Sequence, residues 1–187
     1  MTRWISVGLL TLCLGVAGSA SAEPRPSPFP LADGNRWTLR DIETNAARAI
    51  AVRGGPEGLV LSGLPGAPSM RVRWLGDTVQ AWDAGDRRWE ALFRFGVPVG
   101  ERYLVKLGAT SLWRGVVVTV ASKRAAVEDF NGRTRRGCTR FTFAAKRPLA
   151  DAGLESFAFA PGVGPIQVVE QTIAGSRELA LASHRVK

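Results

Sequence analysis

Two pairs of carboxylates stand close together in this sequence, Asp83 with Asp86 and Glu128 with Asp129. Two acidic side chains held roughly 5 to 9.5 Å apart are enough for glycoside hydrolysis, so each pair is a candidate for carboxylate-dependent attack on a polymer. Both lie in turn-forming text, DAGD and EDFNG, where acidic residues are ordinarily solvated. Other reagents are scarce. After residue 22 there is one cysteine, Cys138, and one histidine, His184, three residues from the end. That is too few for a zinc site, and a nucleophilic Cys–His pair would require these two residues to meet through the fold. No Gly-x-Ser-x-Gly elbow, Walker loop or His-Glu-x-x-His occurs, and Gly162-Val163-Gly164 is not followed by the helix that a dinucleotide site requires. The sequence therefore assigns no catalytic residue, no metal and no cofactor.

Non-covalent recognition has more to work with. Trp74, Trp82, Trp89 and Trp113 fall in strand-like text and form a candidate apolar pocket, although large rings at strand spacing more often build a core. Arg133, Arg135, Arg136 and Arg140 are the densest basic cluster and a candidate anion-binding site, against the plainer reading of a solvated loop. The chain carries 25 basic and 16 acidic residues, a formal net charge of +9. Of the basic residues 21 are Arg and 4 are Lys, a bias that often reflects genomic base composition. A surface of this sign still attracts anions over a Debye length of roughly 10 Å.

The compartment follows from the N-terminus. Arg3, the apolar run 5–16 and Ser19-Ala20-Ser21-Ala22 have the charge, length and small-residue cleavage site of a secretory signal peptide over 1–22, with the mature chain starting at Glu23. The apolar run is shorter than the roughly 18 residues that a spanning helix needs. Cleavage would remove Arg3 and leave a net charge of +8. An exported chain with the single cysteine Cys138 has no internal disulfide, so its fold must stand on an apolar core, with Cys138 read as a buried thiol in preference to the alternative of an intermolecular bridge.

Residues 23–32 contain EPRPSPFP, four prolines in eight residues, and read as an extended leader that contributes little to the core. Residues 33–187 read as one domain. RWTLRDIE, MRVRWL, VQAW, RRWEALFRF, ERYLVKL, LWRGVVVTVA and GCTRFTFAA are short strands separated by Gly, Pro, Asn and Asp turns, and RAIAVRGG and LVLSGL, either side of Gly54-Gly55-Pro56, are weaker strand candidates. In RRWEALFRF the alternation places Trp89, Ala91, Phe93 and Phe95 on one face, and Asp83-Ala84-Gly85-Asp86 joins that strand to VQAW as a hairpin. FAFAPGVGPIQVVEQTIAGSRELALASHRV, 157–186, writes a strand, turn, strand, turn and strand in thirty residues. Only 146–154 has the composition of a helical turn. The expected class is mainly β: about ten strands in a single antiparallel meander, each beside its sequence neighbour, curled into a half-barrel or barrel, with a β-sandwich as the alternative.

Three stretches resemble the TapB-like group of bacterial envelope β proteins. FPLADGNRWTLRD, 29–41, is similar to its opening aromatic-Pro-Leu, turn and Trp-Thr strand. VEDFNGRTRRGCTRFTF, 127–143, is similar to its Cys-containing strand, although Asp129-Phe130-Asn131-Gly132 departs from the usual turn order. FAPGVGPIQVVEQTIAGSRELAL, 159–181, matches its closing strand-turn-strand, with Pro165 as a departure. The resemblance implies an envelope β domain and carries no established catalytic residue.

These readings converge on an exported, non-catalytic envelope β domain, periplasmic or extracellular, that binds or scaffolds a lipid-like or other apolar ligand. A carboxylate-dependent hydrolase and a basic module for anionic envelope polymers are the alternatives. Nucleic acid is disfavoured as a partner by compartment, and after signal cleavage the chain is not expected to be an integral membrane protein.

Overall fold

A computed structural model describes residues 26–67, 69–107, 113–145 and 152–187. The expected signal peptide at 1–22 lies outside the described residues, as does most of the expected helical turn at 146–154; Leu154 belongs to a strand. Among the described residues there is no helix. The described residues form twelve strands, against the ten or so expected: β1 (Arg36–Asp41), β2 (Ala47–Gly55), β3 (Gly58–Ser62), β4 (Met70–Leu75), β5 (Thr78–Asp83), β6 (Arg88–Arg94), β7 (Arg102–Lys106), β8 (Arg114–Glu128), β9 (Thr134–Ala145), β10 (Ala152–Ala160), β11 (Gly164–Thr172) and β12 (Gly175–Arg185).

All twelve belong to one antiparallel sheet in the order β6-β5-β4-β3-β2-β1-β12-β11-β10-β9-β8-β7. Each strand pairs with its sequence neighbour, and the first and last are joined by the β1–β12 ladder, so the meander is nearly closed into a barrel. The one break between sequence neighbours falls between β6 and β7. There Tyr103 of β7 substitutes for a ladder: its hydroxyl donates to Leu92 O and accepts from the Arg94 amide, both at 3.1 Å. The Arg94 guanidinium lies 4.7 Å above the same ring.

Strand alternation sets which side chains face inward. Trp37 and Leu39 of β1, Ile50 and Val52 of β2, Val79 and Ala81 of β5, Val118 and Val120 of β8 and Phe141 of β9 are all buried. The outward positions carry Arg71, Arg73, Gln80, Gln167 and Glu178, so the barrel is apolar inside and polar outside, the reverse of a transmembrane barrel. Among the described residues no helix is long and apolar enough to cross a membrane.

The interior is filled by its own side chains. Phe93 packs against Phe141, Phe157, Phe159 and Trp113 with ring centroids 4.7 to 5.6 Å apart. Phe29, from the leader, is fully buried among them, 5.4 Å from Trp37 and 5.1 Å from Phe159. The expectation that the leader contributes little to the core is therefore corrected: a Pro-rich arm cannot pair in a sheet, but it can deliver one ring into the end of a barrel. Asn35 fixes its exit, donating to Pro30 O and accepting the Lys187 amide, each at 2.9 Å.

Two irregularities shape the outer surface. Opposite Val79 and Gln80, β6 carries an extra residue at Leu92, because Val79 pairs with Phe93 and Gln80 with Ala91. Such a bulge reverses the alternation. Trp89 and Ala91 thus face outward while Phe93 and Phe95 face inward, which corrects the expected single face. The β8–β9 hairpin has three register breaks and bends so that its tip reaches β12, where the Phe130 amide donates to Leu181 O and Asn131 Nδ2 to Ala182 O, both at 2.9 Å.

Candidate functional site

The residues singled out for chemistry are held apart. Asp83 is buried, and its Oδ1 accepts the amides of Gly85 at 2.9 Å and Asp86 at 3.4 Å, while Asp86 lies outside in an ion pair with Arg88. Asp129 is buried in the same way: Oδ1 accepts the amides of Asn131 and Arg133 at 3.0 and 3.1 Å, and Oδ2 binds Arg135. Its neighbour Glu128 is exposed. A third buried carboxylate, Asp41, accepts the amides of Glu43 and Thr44 and pairs with Arg177. The Thr44 amide foremost, then Arg177, hold its carboxyl well below the usual carboxylate range. Asp41 and Asp83 end their strands and Asp129 follows the end of β8, and each closes a turn by binding backbone N–H groups.

The four tryptophans do not line one cavity. Trp113 is buried and donates to Pro65 O at 2.8 Å. Trp74 faces inward at the barrel end, 5.6 Å from Phe95, and donates to Phe29 O at 3.1 Å. Trp82 and Trp89 are a directly opposed pair on the outer face, 5.5 Å apart, with Arg71 above Trp82 at 4.6 Å and Arg73 above Trp89 at 4.2 Å.

The arginine cluster is dispersed as well. Arg135 pairs with Asp129, Arg140 reaches across Ala158 to Gln167 Oε1 at 2.9 Å, and Arg133 and Arg136 are exposed. Cys138 is fully buried, its Sγ donating to Arg135 O at 3.3 Å, and burial pushes its thiol pKa up. His184 sits exposed at the end of β12, where burial of its ring and then Arg135 push its pKa down. Among the described residues no group of three or more His, Cys, Asp or Glu side chains could hold a metal.

Two concavities among the described residues bear on binding. The first, about 820 Å³, lies where the leader meets the barrel end. Leu31, Pro28, Pro30, Trp74 and Phe95 make its apolar wall, and half-buried Lys123 and exposed Asp77 are its charged lining residues. The second, about 510 Å³, is a trough on the outer face of β3, β2, β1 and β12. Its floor is Ala49 and Ala51, and its sides carry Arg36, Arg53, Arg185, Thr38, Ser62 and Ser183. Sequence reading missed Lys123 and the three trough arginines. Their outward alternation was visible, but which strands lie beside one another was not.

No protein-family model, curated protein or solved structure matches this chain.

Proposed function

We propose that this chain is an exported, non-catalytic β domain of the bacterial envelope that binds an apolar or amphiphilic molecule in the cleft between its leader and the barrel end. The observation that carries the reading is that cleft, with Trp74, Phe95, Leu31 and two prolines forming an apolar wall and Lys123 and Asp77 as its charged lining residues, of which Lys123 would meet an acidic head group. The barrel interior, where a ligand would be expected in a curled sheet, is occupied by the Phe29 cluster, so the ligand lies under the leader instead. The signal-peptide text of 1–22 and the resemblance to the TapB-like group support export and an envelope role. Hydrolysis has less support, because Asp83 and Asp129 are engaged by their own turns.

Calorimetric titration of the mature chain with a medium-chain fatty acid tests the reading. Saturable binding is expected, weakened by Leu31→Asp and, for the acid but not the matching alcohol, by Lys123→Gln. Binding that ignores Leu31→Asp, or no binding, would refute it. Fractionation of cells making the full chain should place it outside the cytoplasm.

A further inference from the structure

The outer trough gathers Arg36, Arg53 and Arg185 around one concavity. Arg36 of β1 and Arg185 of β12 are directly opposed partners in the ladder, and Arg36 is also opposite Ala51, which in turn is opposite Ser62. One residue row thus reads Ser62, Ala51, Arg36, Arg185 across four strands, and the next reads Ala49, Thr38, Ser183. Like charges directly opposite in a sheet repel. Among the described residues no carboxylate lines this trough, and neither Arg36, Arg53 nor Arg185 has an ion pair or side-chain hydrogen bond. Other arginines are neutralised or stacked, such as Arg48 on Glu170, Arg177 on Asp41, Arg88 on Glu90 and Arg73 on Trp89, and others, such as Arg133 and Arg136, are exposed; the trough differs in bringing three of them to one concavity.

We infer that this trough binds a phosphoryl group carried by an envelope molecule. Guanidinium groups supply forked donors suited to phosphate oxygens. Three of them, with the hydroxyls of Thr38 and Ser183, approach one concavity from three strands, while the Ser62 hydroxyl on a fourth donates to Ala51 O at 3.4 Å; this donor set suits a tetrahedral polyanion better than a flat carboxylate. The alanine floor leaves the room; a larger residue at position 49 or 51 would fill it. The site lies on the face opposite Trp37 and Ile50 and is independent of the apolar cleft.

The test is titration of the mature protein with inorganic pyrophosphate and, separately, with vesicles of phosphatidylglycerol in phosphatidylcholine against phosphatidylcholine alone. Binding of at least one of the two phosphate probes is expected, weakening with salt and falling about tenfold or more in R36Q/R185Q. Binding of pyrophosphate alone assigns a soluble phosphate, and preference for the anionic vesicles assigns a lipid head group. A second readout separates this from simple loss of structure: because a repelling pair is removed, the R36Q/R185Q protein should melt at a temperature equal to or above that of the parent when no anion is present. Affinity unchanged in R36Q/R185Q, an equal loss in R133Q/R136Q, or no binding of either probe would overturn the inference.

Discussion

The sharpest test of the architecture is Phe29→Ala, because an arm lying on the surface and an arm that plugs the barrel give opposite answers. Phe29 has no exposed surface and meets the rings of Trp37, Phe159 and Phe93 at 5.4, 5.1 and 6.2 Å. Truncating a buried Phe costs about 3–5 kcal/mol in lost transfer energy and cavity formation, and the lost edge-on ring contacts belong to that cost. Against a total stability of about 5–15 kcal/mol this is a large share. For a domain of this size, 4 kcal/mol corresponds to a fall of about 8–16 °C in melting temperature. Urea unfolding of a protein of residues 23–187, followed by tryptophan fluorescence, measures it directly. Ser27→Ala serves as the control, since only the backbone carbonyl of Ser27 is engaged, by the Gly162 amide; it should stay within about 0.5 kcal/mol. A loss below about 1 kcal/mol in Phe29→Ala would mean that the leader is an ordinary surface arm, and the account of both the core and the cleft would fail.

Three further outcomes follow from the same structure. Asp41→Asn should cost about 2 kcal/mol at neutral pH, since it removes the charge from buried bonds to Thr44, Glu43 and Arg177. Because the folded carboxyl titrates below its unfolded value, that advantage is full above about pH 4 and declines as the pH falls further; a gap between parent and variant that does not narrow in acid urea melts would refute it. Tyr103 is the only tyrosine in the chain, and burial pushes its phenol pKa up. Ultraviolet titration should therefore show no phenolate in the folded protein near pH 10, where a free tyrosine is about half ionised, until the protein unfolds. Gly164→Ala should destabilise by more than about 1 kcal/mol, because φ is +101° and a Cβ there would lie 2.7 Å from Trp37 Nε1, whereas Gly153→Ala, with open space around it, should be close to neutral in thermal melts.

Local pattern made much of the fold legible. The hairpin around Gly85 and the closing run from Phe157 were readable because alternation and turn residues are properties of adjacent positions, and both formed as β5–β6 and β10–β12. What stayed hidden depends on distant partners. The bulge at Leu92 exists because two strands of unequal residue count are paired, and no composition signal marks it; it alone turns Trp89 outward. Phe29 is one ring among prolines, and nothing periodic surrounds it. Arg36 and Arg185 become neighbours only through the β1–β12 ladder, so a basic site spread over four strands looks in sequence like isolated surface charge, while the dense run at 133–140 disperses once Asp129 and Gln167 engage it.

The open seam shows how this barrel manages its edges without finishing the ladder. An unpaired strand invites pairing with another chain, and here the two unpaired strands, β6 and β7, are consecutive and joined by a short connection. Each half of that connection is held away from the other: the Phe95 amide donates to Asp77 O at 2.8 Å, extending β6 along β5, while the Gly100 amide donates to Val120 O at 2.8 Å, extending β7 along β8. The strands are then bridged by one side chain, since Tyr103 binds both an acceptor and a donor of β6. Phe93 and Phe95 of β6 meanwhile pack on Phe141 and Phe159 from the other half of the meander, so separating the edges would expose the core. The two edges are thus protected by facing one another across a buried phenol. The barrel can remain unpaired at this position because its ends, β1 and β12, are zipped on the opposite side.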